Sequence, residues 1–384
     1  DTMVQEVAYE SMMVARRQEI HRMIGESLET ALADQGDAAA GILAYHFSRS
    51  DDREKAVRYL EKAAAQAQSG YANSTAMHHL TDLLTMLGDS DEIWQKRYGI
   101  LNSRQRILGV MGKQDEREAD LTVMLELAEA HQYDDGQAET LNGFADLYQW
   151  TGRYDEAIKT AKAALMLHEL ANNQAGQALA QHILGVVYYY RGEYDLAQPA
   201  LEKAIAIRRK TRDQAGESWS RLYQYMIHLV KGNYSEASDI NEGALWKAQA
   251  LKDWMLIGIH LNNGGRIALR LGEYEKALEF FAESSKTRVK IGDRTGLSFT
   301  LYGQAMTHYS LNRLDDAEAA LQESITIRRQ INDERGLSSS LAGLGMVALE
   351  RGDLKTAEDG LTQARDLHDK LSLKGEMIID LSYL

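Results

Sequence analysis

Histidine and carboxylate are the residue types here that could carry chemistry, because the chain has 11 His, 57 Asp and Glu, and no Cys. Zero cysteine excludes a disulfide scaffold, a zinc ribbon, an iron–sulfur site and thiol catalysis. His78 and His79 are adjacent, so a helix turns them to different faces and they make a poor metal pair. No His-Glu-x-x-His occurs, and residues 109–113 are too short to cradle phosphates in the manner of Gly-x-x-x-x-Gly-Lys-Ser/Thr. Carboxylates on helices mostly form solvated faces, and 57 of them make chance pairs unavoidable. No catalytic constellation, metal site or cofactor site assembles from these residues. The expectation is a chain that binds and does not catalyse.

One cationic register stands apart. His168, Arg208, Arg288, Arg328 and His368 share a position, with Ala248 the exception, and Arg209 and Arg329 thicken it. It reads either as a stripe for an acidic peptide or phosphate, or as charge complementing helix C-termini and pairing with Asp213, Asp293 and Asp333, worth about 0.3–1 kcal/mol each. Acids sitting in the same corners favour the structural reading.

A repeat places these residues. Gly152-Arg153-Tyr154-Asp155-Glu156-Ala157 recurs with its glycine at Gly192, Gly232 and Gly272, and more loosely at Asn312 and Gly352, a step of 40 residues without slippage. Gly136, Gly176, Gly216, Gly296 and Gly336 keep the same step, broken at Leu256. A fixed period of this size marks a stacked array. Each period splits into two helical patterns. Residues 177–191 space Leu179, Ile183, Leu184 and Val187 helically, and residues 194–210 do the same with Leu196, Ala197, Leu201, Ala204 and Ile205. Glycine at the corners fits a residue needing positive φ. Ala157, Ala197, Ala237, Ala277, Ala317 and Ala357 sit where the second helix crosses the first, and the tyrosine or leucine three residues earlier caps each hairpin. Pro199 falls inside a second helix and removes one backbone hydrogen bond. His228 and His308 occupy the slot of Tyr148 and Tyr188, and Gly264-Gly265 reads as close helix packing.

The pattern resembles the tetratricopeptide repeat in a 40-residue form. Leu184 and Gly185 match the family's Leu-Gly pair and Tyr188 its aromatic residue, followed by Ala197, Leu201 and Ala204; the last copy gives Leu344, Gly345, Ala357, Leu361 and Ala364. The tryptophan near each repeat start and the closing proline are missing. The resemblance implies an all-α fold, a right-handed superhelical solenoid of antiparallel helix pairs. Regular repeats are expected over 131–384, and irregular helical hairpins such as 72–87 and 93–111 over 31–130, where Arg117 replaces the crossing alanine. Residues 1–30 are expected to be a linker with capping helices. Their Val4-Gln5-Glu6-Val7-Ala8-Tyr9-Glu10-Ser11, Arg16-Arg17-Gln18-Glu19-Ile20-His21 and Ile24-Gly25-Glu26-Ser27-Leu28 are similar to the segment joining the nucleotide-binding and winged-helix region to the repeats in bacterial STAND-type signalling ATPases, which include ATPase-linked adenylate cyclases and transcriptional activators. That likeness implies a sensor region normally attached to an upstream ATPase domain. Asp1 in place of Met agrees with a missing natural start.

Composition bounds the partners. The balance of 43 Lys and Arg against 57 Asp and Glu gives −14, which argues against nucleic acid and anionic membranes. No run approaches 18 apolar residues, so no membrane span is expected and the location is read as cytoplasmic. A length of 384 alone suggests two or three domains at about 150 residues each, a prior that a repeat array sets aside. One proline, against roughly 19 at about 5% usage, suits long uninterrupted helices.

In the resembled family the first helix of each repeat lines the concave wall. The register then assigns Glu139, Asn142, Asp146 and Gln149 to an early polar wall; Leu179, His182, Val186 and Tyr189 to the next copy; and Trp219, Leu222, Met226 and Leu229 to the one after. Ile259, Asn262, Arg266 and Leu269 follow, then Phe299, Tyr302, Met306 and Tyr309, then Ser339, Ala342, Met346 and Leu349. The candidate ligand groove is drawn from the aromatic and methionine-rich middle: His182, Tyr189, Trp219, Leu222, Met226, Asn262, Arg266, Phe299, Tyr302, Met306 and Tyr309. Asn262 and Arg266, one turn apart, suit the backbone or a carboxylate of an extended peptide. The expected partner is a peptide, protein or small ligand in that groove. The alternative is an oligomerisation scaffold that buries the same wall or an end against another copy.

Overall fold

The computed structural model describes residues 9, 11–33, 38–70, 72–88, 90–331 and 333–370. Eighteen α-helices and no strand occur among the described residues. They are α1 (Val14–Ala31), α2 (Ala40–Phe47), α3 (Arg53–Ser69), α4 (Asn73–Leu87), α5 (Trp94–Val110), α6 (Gln114–Ala130), α7 (Asp134–Trp150), α8 (Tyr154–Leu170), α9 (Gln174–Tyr190), α10 (Tyr194–Thr211), α11 (Gln214–Val230) and α12 (Tyr234–Leu251). The array continues with α13 (Trp254–Arg270), α14 (Tyr274–Ile291), α15 (Arg294–Ser310), α16 (Leu314–Gln330), α17 (Glu334–Glu350) and α18 (Leu354–Lys370). Two compact units divide at Leu147 and Tyr148.

In the first unit, Phe47 and Tyr59 stack with ring centroids 5.3 Å apart, and Leu43, Leu60, Leu80 and Leu83 fill the core around them. Gly25 of α1 lets the chain approach Phe47, since a Cβ there would stand 2.9 Å from the ring. Arg117, in the slot that alanine holds elsewhere, is buried and donates from Nε to Gln105 (3.1 Å) and from Nη2 to Asp146 (2.9 Å). Gly109 gives it room, because a Cβ there would sit 3.1 Å from Nη1. Of the segment that resembles a signalling-ATPase linker, Val4–Ala8 and Glu10 lie outside the described residues, as does 371–384.

The second unit is the regular array, a helix pair per repeat. First and second helices of a repeat pack closely in α9/α10, α13/α14, α15/α16 and α17/α18, and loosely in α11/α12. Each crossing alanine is sealed: Ala157, Ala197, Ala237, Ala277 and Ala317 have no accessible surface. The corner glycines hold the left-handed conformation, with φ of 74–78° at Gly152, Gly192, Gly232, Gly272 and Gly352, while Asn312 takes the same region at 56°. Helix α10 runs on through Pro199.

The second glycine ladder plays a different part from the corner role expected of it. Gly176, Gly216, Gly296 and Gly336 lie in the first turn of a first helix, and the left-handed residues of that connection are Asn172, Arg212, Lys252 and Gly292. The backbone N–H groups of Gly176, Gly216, Gly296 and Gly336 donate to the capping side chains of Asn173, Asp213, Asp293 and Asp333 at 2.8–3.0 Å.

Candidate ligand-binding wall

Successive first helices of the second unit touch one another, as in α9/α11, α13/α15 and α15/α17. The face these first helices share is the candidate wall, and its burial is graded. Toward the N-terminal half of each helix the positions stay open: Trp219 and Phe299 are each about half exposed, at 49% and 48%. Toward the C-terminal half Val186, Tyr189, Leu229 and Leu269 are buried, although Tyr309 is half-buried and Leu349 exposed at the register of Tyr189, Leu229 and Leu269.

The eleven candidate groove residues separate accordingly. Trp219 and Phe299 are exposed; His182, Leu222, Met226, Arg266, Tyr302 and Tyr309 are half-buried. Tyr189 (1% exposed) and Met306 (3%) belong to the packing between helices, Tyr189 with Leu201 and Ile227 and Met306 with Leu269 and Phe281. Asn262 is buried at 8% and offers little surface to a ligand. In the early wall, Asn142 and Gln149 are buried, and Glu139 is engaged by Asn102 and Arg106, both at 2.8 Å.

The cationic register is not a surface stripe. Arg208, Arg288 and Arg328 are buried, at 7%, 5% and 1% exposure. Arg208 donates to the Gly216 carbonyl (2.6 Å) and Ser220 Oγ (2.7 Å), with Asp213 at 3.5 Å. Arg288 pairs with Asp293 and donates to Ser284 Oγ at 3.2 Å. Arg328 donates to the Gly336 carbonyl and to Ser298 Oγ (3.4 Å), with Asp333 at 3.9 Å. Each guanidinium thus joins a second helix to the next first helix, and Arg328 also holds the first helix of its own repeat. This explains the glycine ladder: a Cβ at Gly216, Gly296 or Gly336 would collide with the arginine side chain eight residues earlier or with the capping aspartate. At the exception the two changes go together, since Ala248 presents only a methyl group and Leu256 replaces the glycine.

These buried cations set the electrostatics of the wall from behind. Arg328 Cζ lies 5.0 Å from the Phe299 ring centroid and 5.6 Å from that of Tyr302, fixing both rings at cation–π distance. Ser220, held by Arg208, shares a hydrogen bond with His182 Nδ1 at 3.1 Å. Burial, helped by the Arg208 charge, pushes the His182 imidazole down to about 3, so it is neutral at physiological pH. His182 packs edge-on against Tyr223, and Tyr189, Tyr190 and Tyr223 form a contiguous aromatic group in which the Tyr190 and Tyr223 hydroxyls meet at 3.3 Å.

Tyr190 and Tyr223 were not among the residues the register nominated. Tyr190 follows a nominated position in a run of three tyrosines, which is its one sequence signal. Tyr223 occupies the register of Ile183 and Gly303, where apolar packing is the natural expectation. Gly264-Gly265 is close packing as read: a Cβ on Gly265 would stand 2.7 Å from the Phe281 ring.

No group of three or more His, Cys, Asp or Glu able to hold a metal occurs among the described residues, and no described helix is long and apolar enough to cross a membrane. In the first unit, His21 Nδ1 meets His46 Nδ1 at 3.1 Å and Tyr9 Oη meets His21 Nε2 at 2.9 Å. Burial holds both imidazoles below their ordinary range, assisted by His46 and Arg49 at His21 and by Arg49 at His46.

A search of curated proteins gives no match. Among solved structures, the chain is similar to a Rap protein complexed with Competence and Sporulation Factor, at 13% identity and a TM-score of 0.66 over 94% of this chain and 98% of that one. It is similar to NprR in complex with its cognate peptide NprX, at 17% identity and a TM-score of 0.57 over 79% and 87%. It is also similar to a STAND protein with a tetratricopeptide-repeat sensor from Pyrococcus horikoshii, at 17% identity and a TM-score of 0.55 over 90% of this chain and 55% of that one. At such identities the likeness is one of fold, and the chain spans about half the length of the STAND protein. The tetratricopeptide-repeat family model matches residues 136–210, 256–330 and 296–370. Helix pairs, sealed crossing alanines and this match together identify the array as a tetratricopeptide-repeat α-solenoid.

Proposed function

We propose that the chain is a non-catalytic sensor module that takes a peptide or protein segment on the first-helix wall of its second unit and regulates an attached signalling ATPase. One observation carries the reading: Trp219 and Phe299 stay half exposed on the wall, with Leu222, Met226, Tyr302 and Tyr309 partly open beside them. Large aromatic side chains left accessible on a rigid concave face are the usual anchors of recognition. The similar NprR structure is in complex with its cognate peptide NprX, which supports a peptide as the ligand class, and the similar Rap protein is complexed with Competence and Sporulation Factor. The STAND protein supports the link to an ATPase.

The test is calorimetric titration of candidate peptides into the chain and into a Trp219→Ala, Tyr302→Ala variant. Loss of binding in the variant supports the wall; unchanged binding overturns it. The scaffold reading draws on Leu349, Leu354 and Leu361, exposed on the last described repeat. Light scattering across a concentration series decides it, because a strict monomer rules it out.

A further inference from the structure

The first turn of α17 reaches back across the second unit. Arg335 Cζ stands 5.3 Å from the ring centroid of Tyr190, at the end of α9, although the two first helices are four repeats apart. The ring it covers is already braced on both sides. Tyr154 stacks on Tyr190 at 6.3 Å with 5° between the planes, and Tyr223 meets it edge-on at 6.1 Å with the hydroxyls paired. Burial drives the Tyr223 hydroxyl well above its ordinary pKa, and Arg335 is a nearby charge acting against that shift. The shelf is therefore preorganised, uncharged and rich in ring faces, which is the surface that attracts a guanidinium.

We propose that the Tyr190–Tyr223 shelf is a cation-binding subsite of the wall, filled in the free chain by the chain's own Arg335, and that it accepts an arginine side chain of a basic ligand segment in exchange. The inference rests on the wall being the ligand site. Two features support it. A contact between first helices four repeats apart exists only if the curvature of the unit brings them together, so occupancy of the shelf and curvature are coupled. In addition, a chain of net charge −14 draws basic segments toward it and repels acidic ones. An incoming arginine displaces Arg335, frees α17 from α9 and lets the array open.

The absence of cysteine makes the test direct, since cysteines introduced at the exposed positions Glu202 and Glu358 are the only two in the chain. With spin labels at both, the unaltered background is expected to give one narrow distance. Arg335→Ala and Tyr190→Leu are each expected to lengthen and broaden it, while Tyr190→Phe, which keeps the ring face, retains it. Hexa-arginine is expected to reproduce the Arg335→Ala distribution, where hexa-lysine and sodium chloride of equal ionic strength do so less. Its affinity should rise about 2- to 30-fold in Arg335→Ala and fall in Tyr190→Leu. An unchanged distance in both Arg335→Ala and Tyr190→Leu overturns the contact. Opening in those variants with no response to hexa-arginine overturns the subsite while leaving the wall itself to the Trp219 and Tyr302 variant, so the two readings fail separately.

Discussion

Two seams between repeats solve the same packing problem differently. Between α14 and α15, Arg288 is buried against Asp293 and Ser284, and Gly296 leaves the space it fills. Between α12 and α13, Ala248 replaces the arginine and Leu256 the glycine, while Asp253 remains and caps the Leu256 N–H at 3.1 Å. His260, at the register of Thr300, is buried at this seam, its Nδ1 meeting Asn241 Oδ1 at 3.0 Å while Asn241 Nδ2 donates to the His260 carbonyl at 2.9 Å. One seam is held by a charge that does not titrate, the other by an imidazole that burial pushes down to about 4. Within one molecule, the difference shows that the cation and its glycine are a coupled pair, while the capping aspartate stands without either. Removing the cation relaxes the constraint on the glycine.

The largest effect that would break this comparison is at the arginine seam. Arg328→Ala strands the buried end of its network and is expected to cost about 3–5 kcal/mol in urea denaturation, whereas Ala248→Gly costs about 1 kcal/mol through helix propensity. Equal losses would mean that the arginine is not what separates the seams. Next comes transplantation. Ala248→Arg alone overpacks against Leu256 and should cost about 1–3 kcal/mol. Adding Leu256→Gly and His260→Ser should recover part of that, a coupling of about 0.5–3 kcal/mol in a mutant cycle. Strict additivity would refute the coupling.

A pH series sharpens the contrast further. His260 has a folded pKa below its unfolded value of 6.5, so the unfolded chain binds the extra proton. Its share of stability is complete above about pH 6.5 and is lost as pH falls toward 4. His260→Gln should flatten that part of the profile relative to the unaltered chain, and Arg288→Lys should leave its shape unchanged. The smallest expected effect on stability belongs to the wall. Trp219→Ala, at a half-exposed side chain, should stay within about 0.5 kcal/mol, so that a loss of peptide binding in it is a loss of contacts and not of fold.

The helical pairs, the crossing alanines and the left-handed corners were legible from spacing alone, because a period of 40 repeats the same local physics six times. The wall was legible as a register but not as a surface. Periodicity assigns Tyr189 and Tyr302 to one face, yet it does not say that Leu201 and Ile227 of the neighbouring helices bury the former. The Ala248 and Leu256 exceptions were both visible, eight residues apart, but their connection needs the arginine to be seen lying over the glycine. Arg335 meeting Tyr190 was beyond reach, since it depends on curvature accumulated over four repeats.

The arginine seams also determine where this chain is severable. Arg208, Arg288 and Arg328 each bridge a second helix and the first helix that follows, so a fusion junction or a new terminus placed in those connections parts each arginine from its partner across the connection, the Gly216 carbonyl, the Asp293 carboxylate or the Gly336 carbonyl. The connection at Lys252 carries no such bridge, and its left-handed residue is an exposed lysine. A circularly permuted or split version of the array, opened there, keeps every buried arginine with its aspartate.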